Sequence, residues 1–202
     1  MVKRQEFGPS SVVDYAARMA EVSPDRLVWV DLEMTGLDPK KCAIVEIATI
    51  VTNSNLDIIE EGPNLVIHQP ENVLATMNDF VRSLHSRSGL LDQIRASHVT
   101  LAEATDLTLA FIKKHVPSGV VPLCGNSVWK DREFLETYMP RIVEHLHYRM
   151  IDVSTLKELV RRWCPSREAP KKKETHRALD DVRESIQELA HYRAMFVQPI
   201  SA

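Results

Sequence analysis

The sequence predicts an α/β fold in which a mixed five-stranded sheet is covered by helices. Three observations indicate this class: the first strand is strongly apolar, three strands precede the clearly marked helices, and helices and strands alternate after them. A chain of 202 residues with 44% hydrophobic content can bury one sizeable core. We therefore expect a single domain over residues 27–197, with an N-terminal extension at 1–26 and a C-terminal tail at 198–202.

The predicted strands are short apolar runs bounded by turn residues. The first, Leu27–Glu33, is too apolar to lie on a protein surface. Turn signals such as Asp38-Pro39 and Gly62-Pro63 separate the strands that follow it. Those later strands are expected at Ile44–Thr52, Asn64–Ile67, Val120–Cys124 and Tyr148–Ile151.

The predicted helices are marked by capping patterns and by apolar residues at helical spacing. A capping box at Thr100 and Glu103 opens one helix, and Thr155 with Glu158 opens another after the fifth strand. Asp152, just before that helix, is then a structural turn or cap carboxylate rather than a further metal ligand. Two other helices have periodic apolar faces, formed by Val128, Phe134, Leu135, Tyr138 and Met139 and by Ala178, Leu179, Val182, Ile186, Leu189, Arg193 and Phe196.

Asp131 lies in the middle of the first of these apolar faces. A buried carboxylate is costly unless it is neutralised, paired or bound to a metal, so compensating groups are expected near it. In the C-terminal helix, Asp181 falls at the edge of the inward face, whereas Asp180 points to solvent. His176 precedes this helix, where an imidazole either reaches over a cleft or stays an exposed loop histidine.

Asp31 and Glu33 end the first strand and project from one face, because side chains alternate along a strand. Two carboxylates this close repel each other and favour a cation; alternatively, one caps a turn and the other is solvated. With Asp131 and Asp181 they make four acids, and His176 adds a group that accepts a proton near neutral pH. This set suits phosphodiester hydrolysis with two Mg²⁺ or Mn²⁺ ions, which need hard oxygen ligands.

Five motifs follow one another along the chain: VDLEMTGLD at 30–38, CGNS at 124–127 leading to Asp131-Arg132, HYR at 147–149, DVSTLKEL at 152–159 and HRALDD at 176–181. In these motifs the chain resembles the DEDD exonucleases of the histidine-containing subgroup, and more narrowly the oligoribonucleases. The resemblance extends from about Leu27 to Phe196. It implies a ribonuclease H-like fold and a 3′-to-5′ exoribonuclease that degrades very short RNA, down to dinucleotides, to mononucleotides.

The resemblance also implies roles for single residues. The metal ligands would be Asp31, Glu33, Asp131 and Asp181, with His176 as the general base. Leu37 would wedge between the two bases of the substrate, although a turn leucine covering the core is the alternative. Phe80 and His85 would flank the substrate. Phe80 stands where the family usually carries tryptophan, so it keeps a stacking face but lacks the indole donor.

A further implication concerns the 5′ end of the substrate. Ser127, Arg149 and Ser154 would meet the 5′ phosphate, Arg149 through charge-assisted hydrogen bonds. A pocket closed over that end would leave no exit for a longer strand. Tyr148 would be supplied by the other subunit, so the active unit would be a homodimer. Without the resemblance, Tyr148 and Arg149 would be interpreted as a strand residue and a surface charge.

Charge and composition set the limits of the function. The chain has 25 basic and 28 acidic residues, whereas binding to long nucleic acid usually requires a basic surface. A substrate with one or two linkages needs no such surface, and the lysines at 171–173 are interpreted as a solvated loop. Cys42, Cys124 and Cys164 are far apart, which predicts reduced, packed thiols. We expect no membrane association and a cytoplasmic location, because no long apolar run or secretory signal is present.

Two other functions stay open at this point. One is a related 3′-to-5′ exonuclease that acts on DNA or on longer RNA, and the GNS and HYR segments favour the short-RNA enzyme over it. The other is a non-catalytic module that binds nucleic acid or protein. The presence of all four acids and the histidine disfavours such a module.

Overall fold

The computed structural model describes residues 22–166 and 176–196. The predicted C-terminal tail, most of the predicted N-terminal extension and the lysines at 171–173 therefore lie outside the described residues. The domain boundaries at 27 and 197 stay a prediction. No helix of the described segments is long and apolar enough to span a membrane.

Five strands form one mixed sheet in the order β3-β2-β1-β4-β5. Their bounds are Arg26–Met34 for β1, Ile44–Asn53 for β2, Ile58–Val66 for β3, Pro122–Gly125 for β4 and His147–Asp152 for β5. The three strands nearest the N-terminus pair antiparallel, whereas β4 runs parallel to both β1 and β5. The predicted mixed five-stranded sheet is thereby confirmed.

The third strand is longer than the sequence indicated. We expected it to begin at Asn64, after the Gly62-Pro63 turn signal, but β3 begins at Ile58 and includes both of those residues. Proline has no N–H to donate to a neighbouring strand. Because β3 is an edge strand with a neighbour on one side only, it can accommodate Pro63. The pairing of β2 with β3 is irregular in this region, which is consistent with such an interruption.

Eight helices are present in the described residues. Their bounds are Glu71–Leu74 for α1, Asp79–Arg87 for α2, Leu90–Ala96 for α3, Leu101–His115 for α4, Val128–Tyr138 for α5, Pro140–His145 for α6, Val153–Trp163 for α7 and Ala178–Phe196 for α8. The predicted capping box at Thr100 and Glu103 is confirmed at the start of α4. The predicted start of α7 is wrong: the helix begins at Val153, and its cap is Asp152 rather than Thr155.

The two faces of β1 contact different helices, because its side chains alternate. Val28, Val30 and Leu32 pack into a core with α4, α5 and α6. Trp29 packs on the other face, in a second core with α7 and α8. Asp31 and Glu33 continue the face of Trp29, so the two acids point to the side of the sheet that α8 covers.

Two sequence predictions about buried side chains have different outcomes. Arg193, which we placed on the inward face of α8, is exposed, and its neighbour Tyr192 is fully buried instead. The guanidinium of Arg193 donates a hydrogen bond to the Asn55 carbonyl at 2.8 Å. All three cysteines are free thiols, as predicted, and burial raises the pKa of the Cys124 thiol.

Candidate active site

Three of the four predicted metal ligands meet where β1 ends. Carboxylate oxygens of Asp31, Glu33 and Asp181 all lie within 4.8 Å of one another. The first two come from β1 and the third from the first turn of α8, which the sheet face of Trp29 supports. Asp180, the neighbour of Asp181, is outside this group, and its Oδ1 accepts a hydrogen bond from Arg183 at 3.0 Å.

Asp131 approaches the same strand end from the opposite layer of helices. Its Oδ1 accepts a hydrogen bond of 3.0 Å from the backbone N–H of Leu32, the residue between Asp31 and Glu33. Only 6% of Asp131 is exposed. Burial raises the pKa of its carboxyl, and the bond from Leu32 opposes this shift. Asp131 is thus held against the backbone that carries two other acids, although it is outside the cluster of three.

The cluster carries more negative charge than its surroundings stabilise. The pKa of Glu33 is raised to about 8, first by burial and then by repulsion from Asp181, Glu46 and Asp131. At neutral pH the metal-free site therefore retains a proton that an isolated glutamic acid would lose. A divalent cation relieves both the repulsion and the desolvation. Closely spaced, hard carboxylate oxygens are the ligands that Mg²⁺ and Mn²⁺ prefer.

His85 lies behind Glu33 in a buried position. Its Nε2–H donates to the Met34 carbonyl at 2.9 Å, which leaves Nδ1 facing Glu33 Oε2 at 3.9 Å. Burial lowers the pKa of His85, and the bond to Met34 and the charge of Glu46 only partly oppose this shift. The predicted substrate residue His85 is therefore a neutral imidazole that backs onto a proposed metal ligand, and only 1% of it is exposed.

His176 lies two residues before Ala178, the first residue of α8. Its backbone has a φ of 50°, the left-handed region that a side chain with a Cβ adopts only when its surroundings impose it. The two residues that follow it, Arg177 and Ala178, are bonded to Glu46, which lies opposite Glu33 on the neighbouring strand. The histidine and the acidic cluster therefore share one edge of the fold.

A cavity of about 400 Å³ adjoins the acidic cluster. Two exposed apolar side chains border it, Leu37 at 69% and Phe80 at 71% exposure. Its full lining is Leu32, Glu33, Met34, Gly36, Leu37, Asn78, Phe80, Val81, Leu84 and His85. Three predicted substrate residues thus border one cavity together with a proposed metal ligand.

Two of the three residues predicted to meet the 5′ phosphate, Ser127 and Ser154, are bonded to Asp152. Its Oδ1 accepts hydrogen bonds from the backbone N–H of Ser127 at 2.9 Å and from that of Ser154 at 3.0 Å. The hydroxyl of Ser154 also donates to it at 2.6 Å. Ser127 has a φ of 52°, so the bond from its N–H helps to hold an unfavourable backbone conformation. Asp152 therefore joins the start of α5 to the start of α7.

Arg149 and Tyr148 lie on the outer strand of the sheet. Both are exposed, and the guanidinium carbon of Arg149 is 5.6 Å from the centre of the Tyr148 ring, within cation–π range. Arg132 of α5 donates from Nη1 to the Tyr148 carbonyl at 3.0 Å, which fixes the start of β5. The structure describes one chain, so it tests neither the predicted homodimer nor a role for Tyr148 across subunits.

Sequence reasoning missed two features of this region. It assigned Asp152 a structural turn or cap but did not foresee that the same carboxylate would hold Ser127. It also gave no attention to Glu46, a single acid within the apolar strand Ile44–Thr52. That was the same signal that singled out Asp131: a carboxylate among residues that are expected to be buried.

Comparison with known proteins relates this chain to the exonucleases. A family model described as an exonuclease, RNase_T, matches residues 28–189. Solved structures of this fold include exonuclease I from Methylocaldum szegediense, at 19% identity and a TM-score of 0.66. Another is the zinc-bound complex of E. coli exonuclease I with single-stranded DNA, at 14% identity and a TM-score of 0.69. Each match covers 85% of this chain but only 41% of the solved chain, and the likeness shows the fold alone.

Close relatives specify the kind of exonuclease. The oligoribonuclease of Pseudomonas paraeruginosa is 54% identical over 177 residues, covering 87% of this chain and 98% of that protein. That of Haemophilus influenzae is 54% identical over 173 residues, with 85% and 95% covered. The Mus musculus protein named mitochondrial oligoribonuclease is 50% identical over 195 residues, with 95% and 82% covered. This chain belongs to the oligoribonuclease family of 3′-to-5′ exoribonucleases.

These findings confirm three predictions from the sequence: the resemblance to oligoribonucleases, the ribonuclease H-like fold and the class of enzyme. The roles of the individual site residues are not tested by them.

Proposed function

We propose that this protein hydrolyses very short oligoribonucleotides, above all dinucleotides, to 5′-mononucleotides, with two Mg²⁺ or Mn²⁺ ions as cofactors. The observation that carries the proposal is the meeting of Asp31, Glu33 and Asp181 within 4.8 Å, with Asp131 bonded to the same strand. The names of the relatives indicate oligoribonucleotides as the substrate class. The cytoplasmic location stays a prediction.

The four acids would hold the metal ions. Bound cations would activate a water molecule and stabilise the charge that develops on the attacking and leaving oxygens. The protein contributes rigidity, since Asp31 and Glu33 lie on a central strand and Asp131 is fixed by the Leu32 N–H. The raised pKa of Glu33, caused first by burial and then by Asp181, supports this assignment because a cation would replace the retained proton.

His176 would accept the proton of the attacking water on a ring nitrogen. Its place at the start of α8, five residues before Asp181, supports this role, because both groups then lie at the same edge of the cluster. His85 is the other histidine close to the acids. Its Nε2–H is bonded to Met34 and its ring is buried, so it suits orientation of Glu33 better than proton transfer with solvent.

The cavity beside Glu33 would receive the bases of a dinucleotide. Leu37 would separate two bases, and Phe80 would offer a ring face for stacking. Both side chains are mostly exposed in the free protein, so their apolar surfaces are available to a ligand. Phe80 has no polar donor, which limits its contribution to stacking and burial of apolar surface.

The 5′ phosphate would lie near Ser127, Arg149 and Ser154. Asp152 brings the two serines together, and Arg149 supplies the positive charge that a phosphate needs. The Ser154 hydroxyl has one hydrogen, which it donates to Asp152, so it would have to rotate before donating to a phosphate. A phosphate held by these groups at the 5′ end supports a preference for substrates that end at the second nucleotide.

The protein would act as a homodimer in which Tyr148 reaches the site of the partner. Tyr148, Arg149 and Met150 are all exposed on β5, which is an edge strand of the sheet. Exposed aromatic and apolar side chains on an edge strand are typical of a surface that another chain covers. The exposure of Tyr148 supports the proposal because its ring is turned to solvent in a single chain.

A comparison of substrates tests this function. Purified protein with Mn²⁺ or Mg²⁺ is given a 5′-phosphorylated diribonucleotide and a long oligoribonucleotide of the same base composition. We expect metal-dependent release of mononucleotides with a much higher kcat/KM for the dinucleotide. Preferential hydrolysis of the long RNA, or of the matching DNA, would overturn the proposal and favour a related exonuclease with another substrate.

A further inference from the structure

Glu46 is a fully buried carboxylate that faces the acidic cluster without joining it. It lies on β2 directly opposite Glu33 of β1, so the two side chains share one face of the sheet. Its exposure is 0%. The carboxylate is nevertheless outside the group of oxygens within 4.8 Å.

Both oxygens of Glu46 are engaged by the segment that precedes α8. Arg177 Nη2 donates to Oε1 at 2.7 Å, and Arg177 Nε lies 3.2 Å from both oxygens. The backbone N–H of Ala178 donates to Oε2 at 3.2 Å, so Glu46 also caps the first turn of α8. A second acceptor, Gln93 Oε1, receives a bond of 2.9 Å from Arg177 Nη2.

This arrangement fixes the residue next to His176. Arg177 and Ala178 immediately follow the histidine, whose φ of 50° requires support from its surroundings. A buried ion pair adds little net stability, but it can select one arrangement of the groups it joins. The remainder of α8 is attached elsewhere, through its apolar face and through the bond of 2.8 Å from Asn126 to Glu188.

We propose that the buried Glu46 and the partly buried Arg177 form a clamp that positions His176 for proton transfer at the acidic cluster. The two residues act through His176 rather than on the substrate or the metal ions, so they are positioning residues. The inference rests on the proposed function, since it takes His176 as the general base.

Two other roles for this pair fit the geometry less well. Glu46 is a poor metal ligand because donors from Arg177 and Ala178 already occupy both of its oxygens. Arg177 is a poor phosphate ligand for a similar reason, since Nε and Nη2 are committed to Glu46 and Gln93. If the pair only stabilised the fold, its loss would lower activity equally with and without His176.

The central test is a double-mutant cycle. Arg177→Lys keeps the positive charge but loses the paired geometry of the guanidinium. We expect it to lower kcat for the diribonucleotide about 100-fold, the effect of a displacement of roughly 1 Å in a reacting group. In a His176→Ala background the same substitution is expected to lower kcat no further. An equal loss in both backgrounds would overturn the clamp, because it would show an effect independent of His176.

Two measurements without turnover complete the test. Amide hydrogen exchange of the metal-free protein is expected to accelerate at 177–181 in Arg177→Lys, while exchange in the second half of α8 stays as in the wild type. Affinity for Mn²⁺ alone is expected to stay within about 2-fold of the wild-type value. A loss of Mn²⁺ affinity, or acceleration along the complete helix, would contradict the proposal.

A matched control uses a second ion pair on the same helix. Arg183 Nη2 contacts Glu61 Oε2 at 2.7 Å, and this pair joins α8 to β3 away from His176. Arg183→Lys is expected to leave kcat unchanged, and a loss equal to that of Arg177→Lys would refute a specific clamp. Failure of the proposed function is visible separately, because it would appear as full activity of His176→Ala or as a wild type without dinucleotide hydrolysis.

Discussion

The acidic cluster and the 5′-end group differ in how completely a single chain builds them. The cluster consists of carboxylates from a central strand and from one helix, with Asp131 of a second helix held beside it, and these side chains are buried or partly buried. The 5′-end group is an exposed edge: Tyr148 is 69% exposed and Arg149 is also open to solvent. The difference teaches that the groups proposed for the chemistry are positioned by the core, whereas those proposed for recognition are left for a substrate and a second subunit to complete.

Removing the charge of Asp131 should have the largest effect. Asp131→Asn keeps an oxygen for the Leu32 N–H but loses a metal ligand, so we expect kcat to fall roughly 1000-fold, corresponding to several kcal/mol of lost charge stabilisation. The melting temperature of the metal-free protein should not fall, because a costly buried charge is removed. Asp180→Asn serves as the control, since the carboxylate of Asp180 is bonded to Arg183 rather than to the strand that carries the acids. Wild-type activity of Asp131→Asn would exclude a metal-binding role for this side chain.

Truncation of Tyr148 should have the next largest effect. Tyr148→Ala is expected to lower kcat/KM for the diribonucleotide about 100-fold, since a misplaced or missing positioning group can cost this much. Its folding should be unaffected because the ring is exposed in the single chain. Leu107→Ala, at a similarly exposed residue on α4, provides a surface control.

Mixed dimers sharpen the test of Tyr148. A dimer of one Asp131→Asn chain and one Tyr148→Ala chain has one site with intact acids and a partner's intact tyrosine. If Tyr148 acts across subunits, mixing equal amounts of the two weak variants restores activity to about a quarter of the wild-type value, because half of the dimers are mixed and each of these has one intact site. Unrestored activity, or a fully active monomer, would refute the cross-subunit role.

Asp152 should show an intermediate effect that depends on the substrate. Asp152→Ala removes the acceptor of Ser127 and Ser154 and the cap of α7, and loss of such a cap costs about 1 kcal/mol of stability. We expect a roughly 10-fold loss of the preference for a 5′-phosphorylated dinucleotide over its 5′-hydroxyl counterpart, the effect of one weakened charge-assisted contact. Asp152→Asn should retain most of the preference because it keeps an acceptor. An unchanged preference in Asp152→Ala would show that this carboxylate plays no part in substrate recognition.

The smallest expected effect is a dependence of metal stabilisation on pH. The folded protein keeps the Glu33 proton up to a pKa of about 8, raised first by burial, whereas an unfolded glutamic acid loses it above about 4.5. Because the folded state then binds more protons, this group makes the free energy of unfolding of the metal-free protein fall as pH rises between these values. Added Mn²⁺ should therefore raise the melting temperature more at pH 8 than at pH 5. Glu33→Gln should remove most of this difference, and an equal shift at both pH values in the wild type would contradict the assignment.

Local patterns predicted much of the fold. The apolar run before Asp31 gave the central strand, and Thr100 with Glu103 gave the start of α4, because each depends on neighbouring residues. The short helices α1, α2, α3 and α6 were not predicted. They contain four to nine residues, too few for a periodic apolar face to stand out. The cap of α7 was misplaced for another reason. Aspartate and threonine both suit the N-cap position, so residue type alone does not decide between Asp152 and Thr155.

The sequence by itself determined which residues are proposed to carry the chemistry: acids at strand ends or within apolar faces are costly to bury, so Asp31, Glu33 and Asp131 stand out. Only the tertiary structure decided how these residues are held. The bond from Arg177 to Glu46 joins residues 131 positions apart, and that from Ser127 to Asp152 joins residues 25 positions apart. Such contacts depend on the path of the chain across the sheet, which brings distant segments to one edge, and no local pattern of residues encodes that path.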